Sequence, residues 1–176
     1  MELTYRPATL DDAAGVARVH CESWWSTYRG LLADAVIRDW AVFEKRLRGW
    51  QSILSGDAQS VSVALRDDIV VGFASGGAVQ DTAVASANDC SGQLYALYLV
   101  ESAQRFGVGS ALLARVLDDL RAAGHARVRV EVLEGNLPAI GFYEKHGAAY
   151  RRTFALPRLG SAVSERVYVW SQPLRW

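Results

Sequence analysis

An α/β fold of about seven strands and about four helices is predicted for this 176-residue chain by three observations. Short runs rich in β-branched and aromatic residues recur between turn-forming residues, which reads as strands. Longer stretches whose apolar residues are spaced by three or four alternate with them, which reads as amphipathic helices. An apolar strand near 93–100, a glycine-containing loop, a helix over 107–123 and a strand over 126–133 form a crossover unit, expected to be right-handed. No repeat, low-complexity tract or long Pro/Gly/Ser linker interrupts the pattern, so residues 1–176 are expected to form one domain.

The elements follow in order. Leu3 to Pro7 is a short strand, and Thr9, Asp11 and Asp12 cap a helix to about Trp25 whose buried side carries Ala14, Val16, Ala17, Val19, His20 and Trp24. After Gly30, a helical region over 33–54 spaces Trp40, Phe43, Leu47 and Trp50 by three or four, with room for an interruption. Asp67-Asp68 turns a hairpin between strands 60–66 and 69–75. Residues 76–92 form a longer loop. In the 107–123 helix, Leu112, Leu113, Val116, Leu117 and Leu120 make the core stripe, and Gly124 ends it. Asn136 and Pro138 open a short helix that Gly147 stops, and strands near 148–156 and 164–171 close the chain.

Composition narrows the partners. Hydrophobic residues make up 51% and charged residues 22%, ordinary for a soluble globular protein with an ample core. Nineteen basic and nineteen acidic residues cancel, so neither nucleic acid nor an anionic membrane surface is an expected partner. Cys21 and Cys90 stand alone, without metal-ligand spacing, and read as reduced and buried; no metal is expected. The first residues lack the charged and apolar regions of a signal peptide, and no run reaches the ~18 apolar residues of a membrane span, so the cytoplasm is the expected compartment.

The chemistry centres on Gln104-Arg105-Phe106-Gly107-Val108-Gly109-Ser110, which lies between a strand and a helix. Two glycines let a ligand approach the backbone, and the first amides of the helix have no intrahelical acceptor, so the loop suits a pyrophosphate. A dinucleotide fingerprint would need a third glycine at 112, where Leu112 stands.

Downstream come Val132-Leu133-Glu134-Gly135-Asn136, Ala139, Phe142-Tyr143-Glu144-Lys145 and Gly147, and the two segments together resemble the Gcn5-related N-acetyltransferase (GNAT) family. The resemblance implies a mixed, mostly antiparallel sheet whose parallel fourth and fifth strands splay around acetyl-CoA. It implies an enzyme in which a primary amine attacks the thioester directly. Gln104 through Ser110 would hold the pyrophosphate, and the backbone of Leu97, Tyr98 and Leu99 would run beside the pantetheine. Asn136 would bond the pantetheine or cap its helix, and Tyr143 would protonate the departing thiolate.

The amine must lose a proton before attack. Family members often carry a Glu near the position of Gln93, and an amide cannot act as a base; Gln93 is left to orient water or substrate. Ala126 to Val132 alternates strictly, placing Arg127, Arg129 and Glu131 on one face, so Glu131 is a candidate to bind the amine or relay its proton. Glu22, His20 and the carboxylates of loop 76–92 are the alternatives. Trp24 and Tyr28, in the segment Glu22 to Leu32, are candidates for the acceptor wall. The favoured acceptor is a small-molecule amine. A protein terminal or lysine amine, or a non-catalytic acyl-CoA sensor, are the other readings, and the oligomeric state is open, a homodimer included.

Overall fold

The computed structural model describes residues 3–80, 90–159 and 163–171. Seven strands form one sheet: β1 (Leu3–Pro7), β2 (Gln59–Arg66), β3 (Ile69–Ala78), β4 (Gly92–Leu99), β5 (Val128–Leu133), β6 (Ala149–Ala155) and β7 (Ser164–Trp170), in the order β1-β2-β3-β4-β5-β7-β6. The strand pairs are antiparallel except β4 with β5, which run parallel. The expected hairpin is present, with Asp67 and Asp68 both at positive φ, the conformation a tight two-residue turn requires.

Five helices accompany the sheet among the described residues: α1 (Ala13–Tyr28), α2 (Asp34–Trp40), α3 (Phe43–Leu54), α4 (Val108–Ala122) and α5 (Leu137–Lys145). The helical region 33–54 is therefore two helices. Val42 is extended at φ −85° and ψ 114°, and the Arg46 side chain donates from Nε to the Trp40 carbonyl at 2.7 Å, satisfying an orphan acceptor at the α2 end. At the start of α1, Thr9 donates its amide and hydroxyl to the Asp12 carboxylate, and a 3₁₀ turn over Leu10–Asp12 precedes the helix. Val16, Ala17, Val19 and His20 are buried as expected, whereas Ala14, expected inside, is exposed and Ala13 takes its place.

Two cores sandwich the sheet. On one face Val108, Leu112, Leu113, Val116, Leu117 and Leu120 of α4 pack with Leu94, Val128 and Val130. On the other, Val16, Ala17 and Val19 of α1 and Trp50 of α3 pack with Val61, Val63 and Phe73. Of residues 76–92, expected to form a loop, 76–78 belong to β3 and Gly92 opens β4, and the carboxylates Asp81 and Asp89 lie outside the described residues.

A bulge reorganises β4. Ser75 faces Ala96 and Gly76 faces Leu94, so Tyr95 is the extra residue and the side-chain alternation flips across it. Leu94 lies in the α4 core, whereas Ala96 and Tyr98 pack with the α1 side and Leu97 and Leu99 return to the α4 side. Gly76 permits this approach, because a Cβ there would sit 2.8 Å from the Gln93 carbonyl oxygen and 3.0 Å from Leu120 and Val116. Gly76→Ala is expected to destabilise the fold by about 1–3 kcal/mol through overpacking against backbone, as measured by urea denaturation.

Candidate active site

β4 and β5 are paired at only three positions, Gly92 with Val128, Gln93 with Arg129 and Leu94 with Val130. Beyond Leu94, β4 follows β3 while β5 follows β7, and a cleft of about 700 Å³ opens between them. Leu97, Tyr98 and Leu99 line it from β4, Glu131 from β5, Tyr28 and Leu31 from the end of α1 and the turn after it, and Asn136 and Tyr143 from α5 and its cap.

One end of the cleft is the glycine loop. Gln104, Arg105, Gly107, Gly109 and Ser110 line it, whereas Phe106 projects outward at 71% exposure and the Val108 side chain enters the core. Arg105 at φ 65° and Gly107 at φ 79° turn the chain into α4, and the left-handed angle at the helix cap explains a glycine at 107. Gly109 has no such conformation. A Cβ there would meet only ordinary contacts, Phe142 at 3.5 Å and Leu99 at 3.6 Å, so internal packing does not require glycine inside this helix. Its open side serves the cleft. The first amides of α4 face this end without intrahelical acceptors, and Arg105 and Lys145 add positive charge.

His146, which helical spacing puts on one side of α5 with Ala139, Phe142 and Tyr143 but to which sequence reasoning gave no role in the site, also lines this end. Its Nδ1 lies 2.7 Å from the Phe142 carbonyl, which can only accept, so Nδ1 donates there, and Nε2 lies 2.8 Å from Ser110 Oγ. The spacing Phe142 to His146 is one helical turn, a signal that placed it on the right side without giving it a partner.

α5 is held from behind. Trp170 Nε1 donates to the His146 carbonyl at 2.8 Å, and Tyr168 Oη donates to Glu144 at 3.0 Å. Tyr143 is buried edge-on to Trp170, and burial raises its pKa well above the ordinary phenol value, with Tyr98 adding to the shift. It therefore stays protonated throughout the neutral range. Asn136 accepts from the Ala139 amide at 3.3 Å, so it caps α5 while lining the cleft.

At the other end the charged face of β5 is not a surface arrangement. Arg129 is 1% exposed; its Nε and Nη2 donate to Gln93 Oε1 at 3.2 and 3.0 Å, and Nη2 lies 3.1 Å from Glu131. Glu131, with its side chain 22% exposed, lines the cleft, and Gln93 stands behind it among the described residues rather than in the lining. Leu31 closes over Gly135, where a Cβ would meet Leu31 Cδ2 at 2.8 Å. Tyr95 joins the lining because of the bulge, which no pattern in the sequence announces.

Other expected residues lie elsewhere. Trp24 is outside the lining: it stacks on Trp40 with ring centres 5.4 Å apart and meets Tyr28 edge-on, with the Arg46 guanidinium over both tryptophans. Glu22 is on the surface, 3.2 Å from Arg18. His20 is buried behind Tyr98, accepting from Trp50 Nε1 at 3.1 Å. Among the described residues no His/Cys/Asp/Glu cluster could hold a metal, and no helix is long and apolar enough to cross a membrane.

Comparison with known proteins agrees with this geometry. Residues 20–148 match the model of the acetyltransferase (GNAT) family. The chain belongs to the GNAT family. A relative, the uncharacterized N-acetyltransferase YuaI of Bacillus subtilis (strain 168), is 34% identical over 147 residues, 82% of this chain and 79% of its own. The PaiA N-acetyltransferase of Thermoplasma acidophilum, solved in complex with coenzyme A, superposes with a TM-score of 0.73 at 21% identity, covering 96% of this chain and 98% of that one. YncA of Salmonella typhimurium, a putative acetyltransferase solved with acetyl-CoA, gives 0.71 at 18% identity, covering 97% and 94%. The seven-stranded sheet with its parallel β4/β5 pair is the GNAT fold.

The packing behind the GNAT cleft carries a pH signature. Burial, reinforced by the Arg46 charge, lowers the His20 pKa from 6.5 to about 3. Between those values the unfolded chain binds a proton at this site that the folded chain does not, so this contribution to stability is complete above about pH 6.5 and is lost as pH falls toward 3. At pH 5 the loss is about 2 kcal/mol. Urea titrations at pH 7.5 and 5.0 should show it, and His20→Gln should shrink the difference by that amount.

Proposed function

We propose that this chain is a single, cytoplasmic N-acetyltransferase domain that moves the acetyl group of acetyl-CoA to a primary amine of a small molecule. The observation that carries the reading is the meeting, in one cleft, of an anion-accepting helix start, a buried phenol and a carboxylate, at Gly107–Ser110, Tyr143 and Glu131. The left-handed Gly107 and the unobstructed Gly109 suit a pyrophosphate, and two structural neighbours were solved with coenzyme A or acetyl-CoA. When bound, acetyl-CoA supplies an activated acetyl group. The chain's own residues would do the rest.

The α4 amides with Arg105 and Lys145 would hold the diphosphate, and Asn136 would flank the pantetheine arm. Tyr143 would keep a proton at Oη beside the departing sulfur, available at every neutral pH because burial opposes its ionisation. Glu131 would receive the ammonium form of the acceptor and take up its proton, directly or through water, while Arg129 keeps the carboxylate in place. Leu31 over Gly135 and the Tyr28 ring narrow the acceptor end, which favours a small amine over a folded protein surface.

An assay of free thiol release from acetyl-CoA with small primary amines, a lysine-containing peptide and a peptide with a free N-terminus tests the reading; turnover of the peptides alone would overturn the choice of acceptor. Tyr143→Phe is expected to lower kcat by about a hundredfold while thermal stabilisation by CoA is retained, since the ring packing survives. Glu131→Gln should raise the amine KM or displace the alkaline-rising limb of the pH–rate profile and leave CoA stabilisation unchanged. Acceptor kinetics equal to wild type would remove Glu131 from the site.

A further inference from the structure

Two phenols meet in the cleft with a proton to spare. Tyr98, on β4 beyond the bulge, and Tyr28, at the last turn of α1, both line the cavity, and their hydroxyl oxygens lie 2.9 Å apart. One hydroxyl donates to the other, so the accepting hydroxyl still carries its own proton. Tyr98 also has a side-chain hydrogen bond with Trp24, whose indole nitrogen can only donate, so that contact takes an acceptor position and leaves the spare proton in place.

The rings cannot turn away from this position. Tyr98 is stacked on His20 at 5.1 Å and packed against Phe73, and His20 is itself held by Trp50. Tyr28 is braced edge-on by Trp24 at 4.8 Å, and Trp24 is stacked on Trp40 beneath Arg46. Five aromatic side chains from α1, α2, α3 and β3 thus stand behind two hydroxyls and leave them facing the cavity. Burial raises both phenol pKa values, so both hydroxyls are protonated when an amine binds at neutral or mildly alkaline pH.

We propose that the Tyr28–Tyr98 hydroxyl pair is a binding element that donates one hydrogen bond to an oxygen of the bound reactants. An ammonium has no lone pair to accept it, and a neutral amine's lone pair is committed to attack. The recipient is therefore an oxygen, either the carbonyl of the acetyl group or an oxygen borne by the acceptor close to its amine. This rests on the acetyltransferase reading above. It adds an oxygen-recognising donor pair, apart from Glu131 and Tyr143, to the cleft.

The test uses Tyr28→Phe, Tyr98→Phe and the double variant, each retaining the ring packing. Calorimetry with CoA and with acetyl-CoA reads the first recipient: wild type should bind acetyl-CoA about three- to tenfold more tightly relative to CoA than the Phe variants do, with CoA affinity itself unchanged. Initial rates with ethanolamine and with n-propylamine, equal in length and differing by one oxygen, read the second. A preference for ethanolamine that collapses by the same factor in the Phe variants places the recipient on the acceptor. The double variant should lose no more than the worse single one, because the hydroxyls act as a unit. Phe variants that match wild type in both comparisons, or losses that multiply in the double variant, overturn the pair. A wild type that binds neither CoA nor acetyl-CoA overturns the functional reading instead.

Discussion

Three residue pairs hold β4 to β5, and the site exists because there are no more of them. Two parallel strands paired along their length would satisfy each other's backbone groups and leave no opening. Here β4 swings with β3 across the Tyr95 bulge, β5 stays with β7, and the space between them becomes the cleft. The chain closes what the strands open. Ser23 on α1 donates to the Leu99 carbonyl at 3.1 Å, and Tyr28 packs against the cluster that holds Leu133 of β5 while its hydroxyl meets Tyr98 of β4, so α1 is tied to both arms of the wedge.

The polar pair of the three, Gln93 with Arg129, sits at the root of the opening. A guanidinium 1% exposed is tolerable only with partners, since desolvating an unpaired charge costs several kcal/mol. Gln93 accepts two of its hydrogen bonds and Glu131 supplies the counter-charge. The same contact that stabilises Arg129 therefore fixes a carboxylate at the edge of the cleft. An amide at 93 suits this arrangement: it accepts from the guanidinium without adding a second negative charge beside Glu131.

Much of the candidate site was legible because it depends on local backbone chemistry. Glycine at 107 follows from the left-handed turn into α4, and Asn136 with Pro138 follows from the start of α5, so short patterns carried both. Residues whose role depends on packing between elements were not legible in that way. Trp24 and Tyr28 are one helical turn apart, yet one braces the aromatic stack and the other lines the cleft. His20 and Glu22 were both candidate bases; the apolar spacing already placed His20 on the inner side, but only the fold sets it behind Tyr98 and leaves Glu22 beside Arg18.

By itself the sequence determined the order of strands and helices, the hairpin at Asp67-Asp68 and the strand-to-helix glycine loop, because hydrophobic period, capping and positive-φ residues act over a few neighbours. Tertiary structure alone decided where β4 parts from β5, which face of β4 Tyr98 takes after the bulge, and whether Arg129 is a surface charge or a buried one. The physical reason is range. A bulge, a buried ion pair and a hydroxyl contact between Tyr28 and Tyr98 are settled by groups distant in sequence, whose meeting is fixed only once the two cores have packed on the sheet.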